Sequence, residues 1–158
     1  MRHSITVGIS FGMTSGIITT MGLMVGLSSG TNSRIAVIGG ILTIAIADAF
    51  SDALGIHISE ESENVHTSKE IWVSTAFTFF AKFFFASTFI FPILFLKLGI
   101  AIIVNIIWGF LVLGIASFVM AKSQDENPFK VVSEHLLVAI IVIVLSHYVG
   151  NLISRYFT

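Results

Sequence analysis

Five apolar stretches follow one another along this chain, each long enough to cross about 30 Å of hydrocarbon as a helix of about 20 residues. They cover 5–28, 34–58, 71–96, 99–121 and 131–153, with the polar pieces SSGTNS, SEESENVHTSKE, KLG and AKSQDENPFK between them. In hydrocarbon every backbone N–H and C=O needs a partner within the protein, so such segments are helical. The pattern predicts an all-α integral membrane protein, one transmembrane unit over 1–158 without a linker or low-complexity tail.

Composition points the same way. Hydrophobic residues fill 55% of 158 positions and charged ones 11%, about half the charged share of an ordinary soluble domain. The chain has no cysteine, which excludes disulfides, thiolate metal sites and cysteine nucleophiles. A net charge of -1 excludes a nucleic-acid partner held by a strongly basic surface. Arg2 precedes an apolar run, as in a signal peptide, but the run is too long and glycine-rich and lacks an A-x-A site, so retention is expected. With the N-terminus inside, Arg2, Lys69, Lys122 and Lys130 lie inside against Arg34, Lys97 and Arg155 outside, a narrow margin for setting orientation. Two breaks carry helix-start chemistry: Thr67 with Glu70 forms a capping box, and Asn127 caps a helix opening on Pro128.

A helix turns about 100° per residue, so Gly8, Gly12, Gly16, Gly22, Gly26 and Gly30 fall within about 120° of one another. Such a small-residue seam lets two backbones approach closely, either inside one bundle or between two copies of the chain. Ser15 and Thr19 lie on the same seam. In the second span Asp48 and Asp52 are one turn apart and share a face. A carboxylate near mid-membrane costs about 2.5–3.5 kcal/mol, so this pair needs a cation, a proton or a partner. Lys82 sits at the middle of the third span, with Thr75, Thr78 and Ala86 on its face and Phe77, Phe80, Phe84, Phe91 and Phe95 opposite. That pattern turns Lys82 into the bundle, level with Asp48, where pairing with Asp48 or Asp52 is the least costly arrangement. His147 shares a face with Asn151 and Ser154 in the fifth span, and serves either a helix-to-helix hydrogen bond or a relay. The polar break after the second span holds His57, Glu60, Glu61, Glu63, His66 and Glu70. Its carboxylates face the negative end of the helix dipole, and oxygen with imidazole suits Mn²⁺ or Fe²⁺ as a ligand set. A solvated acidic loop is the alternative, and Glu70 reads as the cap.

Four segments, in order, resemble the vacuolar iron transporter family of iron and manganese carriers. FGMTSGIITTMGLMVGLSSG resembles that family's first helix, and SDALGIHISEESE its second-helix motif through Ser51, Gly55, Ser59, Ser62 and Glu63. ENPFKVVSEHLL and LSHYVGNLI resemble the approach to the last helix and its end. The family's first-helix aspartate falls on Ser15, its second-helix methionine on Asp52, its glutamate on Ile56 and its tyrosine on His57. The cytoplasmic metal-binding domain that the family carries between spans two and three is replaced here by a short connector. The resemblance implies a five-helix fold, a homodimer, a cytoplasmic N-terminus in the cell membrane and a cation path near the first two helices. A carboxylate in place of a thioether favours harder or more hydrated cations.

Three functions follow as expectations. The first is a carrier of a divalent metal cation, Fe²⁺ or Mn²⁺, exchanged for protons, with no tightly bound cofactor. Asp48, Asp52, Glu60, Glu61, Glu63 and His57 are its candidate metal residues, and Ser15, Thr19, Lys82 and His147 line the path or balance charge. The second is a membrane scaffold that moves nothing. The third is an intramembrane serine hydrolase pairing Ser10, in a G-x-S-x-G context, with His147.

Overall fold

The computed structural model describes residues 1–157 and consists of five long helices. They are α1 (Arg2–Thr31), α2 (Arg34–Glu63), α3 (Ser68–Phe95), α4 (Leu98–Ser123) and α5 (Pro128–Phe157), each long and apolar enough to cross a membrane. The chain is all-helical, with five candidate spans in the order read from the sequence.

The helices reach beyond the apolar stretches because their ends carry capping chemistry, which hydropathy does not report. Asn32 closes α1 at φ 46°, the left-handed conformation that asparagine tolerates. Ser33 then caps α2 by accepting the Ala36 N–H at 3.3 Å. The capping box of Thr67 and Glu70 opens α3 as the sequence indicates. Asn127 Oδ1 accepts from the Phe129 and Lys130 N–H groups at 3.0 and 3.4 Å to start α5.

Two helices depart from regular geometry. A π-helical turn, Ile44–Asp48, lies inside α2, and its extra residue re-aims the side chains that follow; such turns recur at functional sites. In α3 the α-helical pattern lapses at Phe89. The cause is Pro92, which has no N–H for the preceding turn and crowds its carbonyls. Helix α4 repairs the lapse: Asn105 Nδ2 donates to the Phe89 carbonyl at 2.8 Å, and Trp108 Nε1 to Thr88 Oγ1 at 3.1 Å.

The bundle is organised around α1, which touches the other four helices. Ile17, Met21 and Met24 of α1 pack with Val37, Ile41, Phe89, Ile93 and Leu113 in one buried core. The opposite faces present Phe80, Phe84, Phe91 and Phe95 of α3 outward, as the sequence pattern indicates. Much of α4 and α5 is likewise apolar and exposed. In a bilayer that surface faces lipid.

The glycine seam does its packing inside the bundle. A Cβ on Gly12 would lie 3.1 Å from Ala81 Cβ and 3.1 Å from the Lys82 nitrogen, and one on Gly16 would lie 3.2 Å from Lys82 Cα. On the same helix, Gly22, Gly26 and Gly30 meet Val142, Ser146 and Gly150 of α5. Both registers rise together, so α1 runs parallel to α3 and to α5. The expectation that two copies pack through this seam is therefore corrected, because α3 and α5 already occupy it.

Candidate functional site

Small residues on α1 bring the polar side chains together. Gly8, Gly12 and Gly16 let the α3 backbone approach closely over Ser74, Thr78 and Lys82. The third wall is α2, antiparallel to α3, so Asp48 and Asp52 meet Lys82 while Glu60 meets Ser74 two to three turns away.

The centre of this interface is an ionic node. Lys82 is fully buried, and its Nζ lies 2.5 Å from Asp48 Oδ2 and 2.5 Å from Asp52 Oδ2. It also donates to Ser15 Oγ at 2.9 Å. Its hydrogen bonds go to Ser15 and Asp52, and Asp48 adds an ion pair. Ser15 passes its own hydrogen on to Asp52 Oδ2 at 2.6 Å. Two acidic side chains thus stand against one basic one. A buried group of this kind has a large desolvation cost, offset only while its partners stay in place.

The carboxylates differ in their surroundings. The side chain of Asp52 is 20% exposed and carries both Lys82 and Ser15, whereas that of Asp48 is 38% exposed and carries Lys82 alone. Asp48 thus lies at the rim of the node, as the last residue of the π turn. The sequence placed either aspartate opposite Lys82; the structure has both.

The other candidates separate. Thr19 Oγ1 donates to the Ser15 carbonyl at 2.7 Å, along its own helix, and supports the node only through the backbone. His147 is bonded through Nδ1 to Ser29 Oγ at 2.6 Å. Ser29 is about 21 Å along α1 from Ser15 at about 1.5 Å per residue, so His147 is no part of this site. By the same measure Ser29 is about 28 Å from Ser10, which rules out the Ser10–His147 pairing.

The acidic break is helix, which corrects its reading as a loop beyond the end of the second span. Helix α2 continues through the glutamates and stops at Asn64, whose φ is 54°. Glutamate is a good helix former and asparagine accepts the left-handed cap, so the polar sequence marked the wrong boundary. The helix sends these groups in different directions. Glu60 is buried at 6% exposure and hydrogen-bonded to Ser74, while Glu61 and Glu63 face outward. His57 Nδ1 meets Thr75 Oγ1 at 3.0 Å. Among the described residues no three His, Asp or Glu side chains form a group able to hold a metal ion.

Two contacts lay outside the sequence reading. Ser74 Oγ is hydrogen-bonded to Glu60, and Ser117 of α4 is bonded to His135 Nδ1 of α5 at 2.7 Å. The signal for Ser74 was its place on the Thr78–Lys82 face, one turn before Thr78. No family model matches the chain, and no curated protein matches it either.

Proposed function

We propose that this protein carries a divalent metal cation, Fe²⁺ or Mn²⁺, across a membrane, with Asp48, Asp52 and Ser15 supplying oxygen ligands. One observation carries the reading: a fully buried lysine at mid-span held between two aspartates and a serine. Intramembrane charges are costly and mark ion or proton paths. Lys82 serves as a tethered stand-in cation. Without cargo it occupies the carboxylates and leaves them one positive charge short. A divalent cation on the two carboxylates neutralises both and repels the ammonium, which must swing away. Hard oxygen donors suit Mn²⁺ and Fe²⁺ better than a soft ion. The resemblance of the first two helices to iron and manganese carriers supports the same reading.

The carrier is a homodimer joined through α2 rather than α1. Gly39, Thr43, Ala47, Ser51, Gly55 and Ser59 recur every fourth residue on the outer face of α2 and are exposed. Small residues at this spacing suit close helix contact in lipid. Beside them lies the rim carboxylate of Asp48, which lipid would solvate poorly. A second copy packed here covers it. We place the dimer in the cell membrane with the N-terminus cytoplasmic, on the narrow lysine and arginine margin and on the resemblance.

The test is uptake of Mn²⁺ and Fe²⁺ into proteoliposomes holding the purified protein. Transport that is abolished by Asp52→Asn supports the proposal; a wild-type protein that moves neither ion overturns it. A scaffold without transport is the second reading, favoured by a lysine already held by Asp48, Asp52 and Ser15. It predicts no flux and a stable protein.

A further inference from the structure

Glu60 poses a hydrogen-counting problem. Ser74 Oγ lies 2.9 Å from the Ile71 carbonyl oxygen and is also in hydrogen-bonding contact with Glu60 Oε2. A serine hydroxyl has one hydrogen. If it goes to the Ile71 carbonyl, which can only accept, the contact with Glu60 needs a hydrogen from the carboxyl group. The neighbouring His57–Thr75 contact has no such difficulty, because the imidazole Nδ1 can itself be the donor.

The charges around Glu60 lead to the same place. Its side chain is buried, and its partner is a neutral hydroxyl. His57 and Glu61 on α2, Lys69 and Glu70 on α3, and the Met1 amino group, Arg2 and His3 at the start of α1 are the titratable groups at this end, with the Met1 ammonium paired to Glu70. Glu63 is paired with His66. Among the described residues none of these forms an ion pair or a hydrogen bond with Glu60. A carboxylate buried without a counter-charge is a costly species, and a neutral acid in the same place is not.

We propose that Glu60 is a proton-carrying station of this pathway, a neutral acid that donates to Ser74 and gives up its proton when a divalent cation enters. This rests on the carrier function proposed above. The step balances simply. Glu60 loses H⁺ to water beyond the exposed Glu61 and Glu63 at the end of α2. The Ser74 hydroxyl then turns its hydrogen from the Ile71 carbonyl to the new carboxylate. Positive charge arriving at Asp48 and Asp52 is offset by the negative charge created further along α2, about 12 Å from Asp52 and about 18 Å from Asp48 at 1.5 Å per residue. The chemical class of the counter-substrate is therefore the proton, and Glu60 is the residue that carries one of them.

The experiment uses infrared difference spectra and proton release with purified protein in liposomes, and Mn²⁺ as the probe. Wild-type protein should show a carboxylic-acid carbonyl band that weakens on adding Mn²⁺, and Glu60→Gln should lack it. Glutamine also donates to Ser74 and is neutral, so this variant keeps the fold. Glu60→Gln should release about one fewer proton per Mn²⁺, and its uptake should become more dependent on membrane potential. An acid band that persists unchanged in Glu60→Gln overturns the assignment, as does a Glu60 band that Mn²⁺ leaves untouched. Absent Mn²⁺ uptake in wild-type protein is a separate result: it removes the carrier function, while the band still judges whether Glu60 holds a proton.

Discussion

Gly16 of α1 lies directly against Lys82 of α3: a methyl group placed on it would stand 3.2 Å from the Cα, Cγ and carbonyl oxygen of that lysine. The charge that defines the site is thus positioned by a residue without a side chain. Ser15, the neighbour of Gly16, supplies the third oxygen to the same ammonium. Packing seam and ion site are two uses of one stretch of α1.

The first prediction follows from that closeness. Gly12→Ala and Gly16→Ala should each destabilise the protein by about 1–3 kcal/mol, the usual cost of overpacking a filled interior. Gly12→Ala should be the worse, since its methyl would collide with the Thr78 carbonyl of the α3 backbone. Gly99→Ala meets nothing within 4 Å and should be tolerated. Thermal unfolding of the three variants in detergent tests the order. Equal stability in all three would mean that α1 and α3 do not pack as described.

Breaking the ionic node should reveal its asymmetry. Lys82→Met strands two carboxylates and should cost about 3–5 kcal/mol or more, the penalty for an uncompensated buried charge. Asp48→Asn leaves the Lys82–Asp52 pair and its serine intact, so it should cost less than Asp52→Asn. Adding Asp48→Asn to Lys82→Met should rescue only part of the loss, because Asp52 still lacks a cation. Full rescue needs both aspartates replaced. Unfolding free energies across the set decide this, and complete rescue by either aspartate alone would show that the other is no partner of the lysine.

Most of this arrangement was legible in the sequence, for physical reasons. Span number and order follow from hydrocarbon thickness. The burial of Lys82 follows from the phenylalanines opposite it, and its partnership from the cost of a lone charge. The glycine seam was legible as a packing surface but not as to its partner, since both candidate partners present small or flexible groups to it. The acidic turn after the second span was misjudged because hydropathy falls before the helix stops. Only the direction of each side chain separates Glu60 from Glu61 and Glu63. Neither the π turn at Ile44–Asp48 nor the tie between Asn105 and the α3 lapse leaves a sequence pattern of its own.

That tie is itself open to test. Asn105 is fully buried and donates to the Phe89 carbonyl at the lapse in α3. Replacing it with leucine keeps the volume but removes that buried hydrogen bond, at about 0.5–1.5 kcal/mol. Asn105→Leu should therefore lower the melting temperature more than Trp108→Phe, whose indole is exposed. The reverse order would place the weight of the α3–α4 contact on the tryptophan.

The last prediction concerns where two copies meet. If α2 forms the interface, single cysteines at Ala47 or Ser51 should cross-link to themselves in the membrane, since a twofold axis brings identical positions together. Cysteines at Gly12 or Gly16 should not, because α3 covers them within one protomer. Leucine at Ser51 or Gly55 should shift the protein to monomers in detergent, as bulk at a small-residue contact prevents close approach. The monomer would then bare the Asp48 carboxylate, and Asp48→Asn in the same background should recover part of the lost stability. Cross-linking at Gly12 with none at Ala47 or Ser51 would return the interface to α1. It would also leave the exposed side of Asp48 without a cover, and the carrier would need another account of how that charge is kept from lipid.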